Sequence, residues 1–312
     1  MIATLLGLLL RAAVVLSGTA IITFALLWNA PGDPALTIAL ARYETLVTEE
    51  VVEIVRREAG LDAGFWSAFF AWVGPLFLLD FGHSAVTGRE VWPDLLNSVS
   101  YTVPLAFTAL FVGMVVSLPL AYLATRRPGG LLDRCAVAMA SLGNAIPAFW
   151  LGLLLILLFA VQLGWLPAMG ARTPAHAILP AMTLGLGVAA SLTRIIRSGI
   201  LEARGQAFLP AFRRRGVRPQ AIGRDHIAPH AAIPVITVFG LELAFLLEGL
   251  VIVEVIFGRP GLGTFLVTAI EARDFPHVQA VVLLTALIFV SINLIIDVIY
   301  RLIDPRIGES DA

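Results

Sequence analysis

The chain has 312 residues, 59% of them apolar and 14% charged, with a mean hydropathy of +0.91. A soluble domain carries roughly a quarter of its residues charged, so a water-facing polar shell is excluded and lipid is the main solvent. The formal charge of −1 hides a bias: all 21 basic residues are Arg, and without Lys there is no Walker A motif and no P-loop ATPase within the chain.

Six apolar segments, near 5–28, 98–124, 134–161, 177–198, 231–257 and 278–302, are each long enough to cross about 30 Å of hydrocarbon. The first differs from a signal peptide: its apolar stretch from Ala12 to Trp28 is long, and no small-x-small cleavage site follows. With the N-terminus inside, fourteen arginines fall on the inner face against three in short outer loops. The positive-inside rule then gives an N-in, C-in, multi-pass protein. The expected fold is an all-α membrane protein of six transmembrane helices in a single membrane domain over 1–312.

The long outer loop, 29–97, carries its own helix signal. Thr48 can cap a helix whose first turn holds Glu49 and Glu50, and Gly60 can end it. Val47, Val51, Ile54, Val55 and Glu58 fall at helical spacing, which predicts an amphipathic helix on the outer surface. The single cysteine, Cys135, permits no internal disulfide.

On the inner side, residues 199–230 are too polar to cross a bilayer and longer than a simple link requires. Gln206 to Arg215 predicts a short helix with Pro210 in its first turn. Gly216 closes it, Pro219 opens a second helix, and Pro229 ends that one. The product is a helix-turn-helix bracket on the membrane surface, with Phe208, Leu209 and Phe212 exposed beside Arg213, Arg214 and Arg215. A basic cluster of this kind can bind anionic lipid heads. Two Gly/Pro-framed helices with aromatic anchors favour a protein docking site.

Carboxylates at membrane depth face a cavity or a partner. Glu242, Glu248 and Glu254 lie six residues apart, so they point about 120° from one another and cannot share one stripe. Glu242 or Glu248 could attract a cationic substrate group in a pathway; a hydrogen bond at a helix interface is the plainer role. His226 and His230 have zinc-pair spacing, but Ile227 stands where a metalloprotease helix needs Glu, and no metal site is expected. His83, His176 and His277 sit at separate loop edges. Gly185 and Gly187 permit close helix approach. Val15-Leu16-Ser17-Gly18 lacks the leading Gly of an intramembrane serine protease.

Many short stretches together resemble the permease subunits of bacterial ABC importers for dipeptides, oligopeptides and nickel. They include Pro31-Gly32-Asp33-Pro34, Asp80-Phe81-Gly82-His83-Ser84, Ile146-Pro147-Ala148-Phe149-Trp150-Leu151-Gly152, Gly164-Trp165-Leu166-Pro167, Ile178-Leu179-Pro180-Ala181 and Ile233-Pro234-Val235. Near the C-terminus come the run from Glu254 to Gly263, Arg273-Asp274-Phe275-Pro276 and Asp304-Pro305-Arg306. The resemblance implies that 199–230 is a cytoplasmic coupling segment. Its signature falls on Pro210, Ala211, Phe212 and Gly216, with Pro210 in place of an acid and Phe212 in place of a second small residue. Phe208, Leu209 and Arg213 would complete the ATPase contact. Arg259, Pro260, Gly261 and Gly263 would sit in a loop facing a binding protein.

The implied partners are a second homologous permease subunit, two ABC ATPase subunits, a periplasmic solute-binding protein and membrane lipids, with no nucleic acid. ATP and Mg would be used by the ATPases, no cofactor would be bound by this chain, and its place would be the bacterial inner membrane. The cargo could be dipeptide, oligopeptide, glutathione, nickel or a metal chelate. An ion-coupled secondary transporter using Glu242 or Glu248 is the alternative, although no inverted repeat is evident.

Overall fold

The computed structural model describes residues 2–43, 47–58, 60, 62–207 and 209–303. The helices, in chain order, are α1 (Ile2–Trp28), α2 (Pro34–Tyr43), α3 (Glu49–Glu58), α4 (Phe65–Leu76), α5 (Val91–Ala124), α6 (Leu131–Ala145), α7 (Ala148–Leu155), α8 (Ile178–Arg204), α9 (Leu209–Arg214), α10 (Pro219–Ile222), α11 (Ala228–Ile256), α12 (Leu262–Glu271) and α13 (Phe275–Ile303). Among the described residues the chain is all-helical, with one isolated bridge pairing His83 and Glu90. Four helical stretches, 9–28, 91–124, 174–204 and 275–298, are long and apolar enough to cross a membrane, and a bent pair over 131–162 makes a fifth candidate.

That pair sharpens one expectation. The apolar run 134–161 reads as one span with a proline inside it, and the chain turns by 103° between Ala145 and Ala148. Pro147 is the cause. It denies the preceding residue the helical region, and Ile146 is extended at φ −82°, ψ 121°. Beyond α7 the helix widens into a π-helical stretch, Ile156–Gln162.

The helices pack as two compact units. The first comprises residues 1–102 and 260–291, the second 103–259 and the chain from 292. In the first unit α2 and α3 bury Ala35, Ile38, Ala39 and Val55 against one another. The α3 signals hold: the Thr48 hydroxyl accepts the Val51 amide at 3.4 Å, and Gly60 takes φ +65°. The structure adds α2 and α4 to the loop 29–97, beyond the one helix expected there. α4 lies on α1 through Phe24, Phe69 and Trp72, with Phe24 and Trp72 rings stacked at 5.6 Å.

The second unit is organised around α8, whose span is the most buried of the four. Lipid offers apolar surface to any helix, so contact here depends on small residues that let backbones approach. A Cβ placed on Gly185 of α8 would lie 2.7 Å from the Ala109 carbonyl oxygen of α5, and one on Gly143 of α6 would lie 2.7 Å from Ala190 Cβ. Gly113 of α5 is closed off in the same way by Val188, and Gly240 of α11 by Ile296 of α13. Gly187 differs from the expectation: nothing lies within 4 Å of a Cβ there. At the polar end, Arg197 of α8 grips Asp133 of α6, with Nη2 to Oδ2 at 2.7 Å, and the Gly129 amide donates to the same carboxylate at 2.8 Å. Arg204 donates to the Thr125 carbonyl just beyond α5, a favourable place for a cation.

Gly185→Ala forces a backbone carbonyl aside and should cost about 1–3 kcal/mol, whereas Gly187→Ala should be nearly neutral. Thermal unfolding of the purified variants in detergent measures the contrast; equal melting points would contradict the packing described.

Candidate functional site

The bracket follows directly from α8. Its end is closed by the Gly205 amide, which donates to the Leu201 and Glu202 carbonyls. α9 begins at Leu209, which places Pro210 in the first turn, where its missing N–H costs nothing. Gly216 stops α9 with φ +75°, and the Val217 amide reaches back to the Phe212 carbonyl at 3.2 Å. That six-to-one bond over a left-handed glycine is the Schellman closure. Pro219 opens α10 as its composition requires.

Pro229 does not end the second helix. α10 passes without a break through a π-helical turn, Gly223–Ile227, into α11, and Pro229 sits in the first turn of α11. The wider turn explains this: the Ala228 amide donates to Gly223, five residues back, and the register change brings proline to a position that needs no donor. Leu209 is also corrected; it is 1% exposed and not a surface anchor. Phe212 is half-buried, its ring stacked on His226 at 4.0 Å between centroids. This contact pins α9 to the turn that leads into α11. Pro210, Ala211, Arg214, Arg215, Gly216 and Arg218 remain exposed and form the outward surface. Phe208 and the side chains of Arg213 and His230 lie outside the described residues.

At the other end of α8, a cavity of about 150 Å³ opens where α6, α7, α8 and α11 meet. Gly143, Ile146, Gly187, Glu242, Phe245 and Gly249 are among its lining residues. Gly187 thus has open space because it faces this cavity. Glu242 is 8% exposed, with Ser191 and Arg194 of α8 beside its carboxylate. Glu248 is exposed and Glu254 fully buried, so the three carboxylates do occupy different faces. Only Glu242 among them lines this cavity.

Arg259 is buried and donates from Nη1 to the His176 carbonyl at 3.2 Å. Gly261 caps α12 and, like Gly263, is buried; Pro260 is exposed. The outer-loop surface expected of these four therefore reduces to Pro260 in this chain.

The first unit holds a junction that sequence reasoning missed. The Ser84 hydroxyl donates to Asp274 Oδ2, and the Ala85 amide donates to Asp274 Oδ1 at 3.0 Å. His277 Nδ1 lies 2.7 Å from Asp274 Oδ2, its Nε2 lies 3.5 Å from Asp94 Oδ2, and its ring meets Phe265 edge-on. His277 is therefore no isolated loop-edge residue. The Arg273 guanidinium packs over Gly32, and Asp33 pairs with Arg56 at 2.7 Å. Among the described residues no group of three His, Cys, Asp or Glu is disposed to hold a metal ion.

Comparison with known proteins bears on the whole chain. A family profile described as binding-protein-dependent transport system inner membrane component matches residues 117–309. The chain is similar to the glutathione transport system permease protein GsiC of Escherichia coli K12, 37% identical over 291 residues that cover 92% of each chain. The GsiC protein of Salmonella paratyphi A is also 37% identical, over 292 residues. Among solved structures, an inward-facing MetNI methionine ABC transporter covers 67% of this chain with TM-score 0.55 at 22% identity. An amino acid ABC transporter crystallised with histidines covers 67% with TM-score 0.54 at 21% identity. Both likenesses concern the fold alone.

Burial would raise the Asp274 pKa, but the bonds from His277, Ser84 and the Ala85 amide outweigh it and hold the carboxyl below its ordinary value. A depressed acid stabilises the fold above its unfolded pKa of about 3.9 and loses that contribution as pH falls through the lower folded value. Asp274→Asn should lower stability by about 1–3 kcal/mol near neutral pH and flatten the acid limb. Thermal midpoints of both proteins between pH 3 and 7 test this; parallel curves would remove Asp274 from the account.

Proposed function

The chain belongs to the family of binding-protein-dependent transport-system inner-membrane components, and we propose that it is the gate of an importer for small peptides of the glutathione class. It is an ABC importer permease of the inner membrane. In the proposed topology α11 supplies the sixth span, both termini face the cytoplasm, and α9 and α10 lie on the cytoplasmic surface. The uneven arginine distribution supports that orientation.

The observation that carries the mechanism is the bracket. It follows α8 after a short turn, runs unbroken into α11 through the π-helical turn, and Phe212 on His226 ties its two arms together. A push on its exposed surface would therefore pass to both helices beside Glu242. Separate ATPase subunits would seat this surface and supply hydrolysis, since a chain without Lys has no P-loop of its own. Nucleotide-driven closure of the ATPases would bias a two-state gate between inward and outward access. A second permease subunit would complete the pathway, and a periplasmic binding protein would deliver the cargo.

Glu242 would attract the ammonium group of a peptide entering the cavity. The 37% identity to GsiC supports the peptide class over nickel. The ion-coupled secondary transporter draws no support from the family assignment.

Phe212→Ala should loosen the bracket without touching the cavity. Substrate-stimulated ATP hydrolysis and uptake in proteoliposomes should both fall by at least roughly tenfold, the equivalent of about 1.4 kcal/mol of lost coupling. Unchanged uptake would refute the coupling role. In the same vesicles, labelled glutathione or a dipeptide should accumulate with ATP and the cognate binding protein; accumulation of nickel alone would overturn the peptide assignment.

A further inference from the structure

From Ala63 to Leu79 the chain runs 17 residues without a charge, between Asp62 and Asp80, and Ser67 is its one hydroxyl or amide side chain. α4 occupies the first part of this run. Twelve residues give about 18 Å of helix, well short of the about 30 Å needed to cross a bilayer. One face of α4 is covered: Phe65, Ala68, Phe69, Trp72 and Val73 pack against Ala20, Phe24 and Trp28 of α1. The rest is bare. Trp66 is 59% exposed, Phe70 64%, Phe77 and Leu78 85% each, and Leu79 66%.

We infer that α4 and the turn after it lie within the lipid of the leaflet that receives the C-terminal end of α1, with the bare side chains among the acyl chains. Three observations select lipid over a protein partner. The bare face continues the uncovered apolar side of α1, where Ile22 and Leu26 are 61% and 70% exposed, and α1 is a membrane-crossing candidate. Protein interfaces favour Arg and a polar rim, while the bare side chains of this run are all apolar; its Ser67 and Ala71 instead face a cavity shared with Arg42, Arg56 and Glu58. Trp28, Trp66 and Trp72 cluster at one end of α1, as aromatic residues do at a bilayer boundary. The run also closes as a segment leaving lipid would. The Asp80 amide turns back to the Pro75 carbonyl at 3.2 Å, and the Asp80 carboxylate accepts the Gly82 amide, which places charge where water resumes. The element is an interfacial anchor, neither a span nor an aqueous loop helix. This inference is independent of the transport reading.

The test is depth measurement in the full-length protein, purified with its accompanying subunits and reconstituted in phospholipid nanodiscs. In a Cys135→Ala background, nitroxide labels go singly on Phe70→Cys and Phe77→Cys, with Leu26→Cys as lipid reference and Glu53→Cys as aqueous reference. Power saturation compares collisions with oxygen and with a water-soluble nickel chelate. Positions 70 and 77 should match 26, with oxygen favoured several-fold more than at 53. Preference for the chelate would place α4 in water, and low collision with both reagents would place it against protein; either overturns the inference. Should a labelled variant fail to reconstitute, quenching by brominated lipid is read as the emission lost between the parent protein and Trp66→Phe. Strong quenching of the Trp66 component supports the lipid position, and none refutes it.

Discussion

Helices in a bilayer gain little by hiding apolar surface from lipid, so their arrangement rests on how closely their backbones can meet. In the second unit that constraint is concentrated on α8. Gly185 lies against the Ala109 carbonyl, Val188 fills the space beside Gly113, and Ala190 fills that beside Gly143. A contact that ends on a backbone atom cannot relax by a rotamer change. α5, α6 and α8 are therefore held together as a body, and Asp133 with Arg197 locks the polar end of the same seam.

Everything functional in that unit is attached to this body. Gly187 leaves the seam to face the cavity, Ser191 and Arg194 stand beside Glu242, and Arg204 passes the chain into the bracket. The cavity and the start of the bracket thus lie toward opposite ends of one helix. Phe212 and His226 add the return connection to α11, which carries Glu242.

The features visible in sequence were local ones. Thr48 before two glutamates, Gly216 after a basic helix and Pro219 at a helix start each act through their own backbone, and each took its expected place. Pro147 marks a kink in the sequence, but its angle was not legible, because a kinked span and a pair bent by 103° carry the same apolar run. α4 was overlooked for a related reason: a run shorter than a span, inside a loop, carries no period to mark it. The junction of Ser84, Asp274 and His277 joins stretches 190 residues apart, and no spacing rule connects them. Yet the short motifs that carried the family resemblance, 31–34, 80–84 and 273–276, are those that meet there. Their individual weakness reflects that each supplies one part of a shared polar knot.

The turn at Gly223–Ile227 has a geometric consequence. A five-residue loop of backbone inserts one residue relative to a regular helix, and one residue is about 100° of rotation. The azimuth of every side chain on α11 is therefore fixed at its base, where the helix leaves the membrane surface. In the register this turn sets, Glu242 looks toward Ser191 and Arg194 of α8. Removing that residue would turn the carboxylate about 100° away from Ser191 and Arg194 with scarcely any change in helix length, so the direction of one buried acid is decided nearly twenty residues before it.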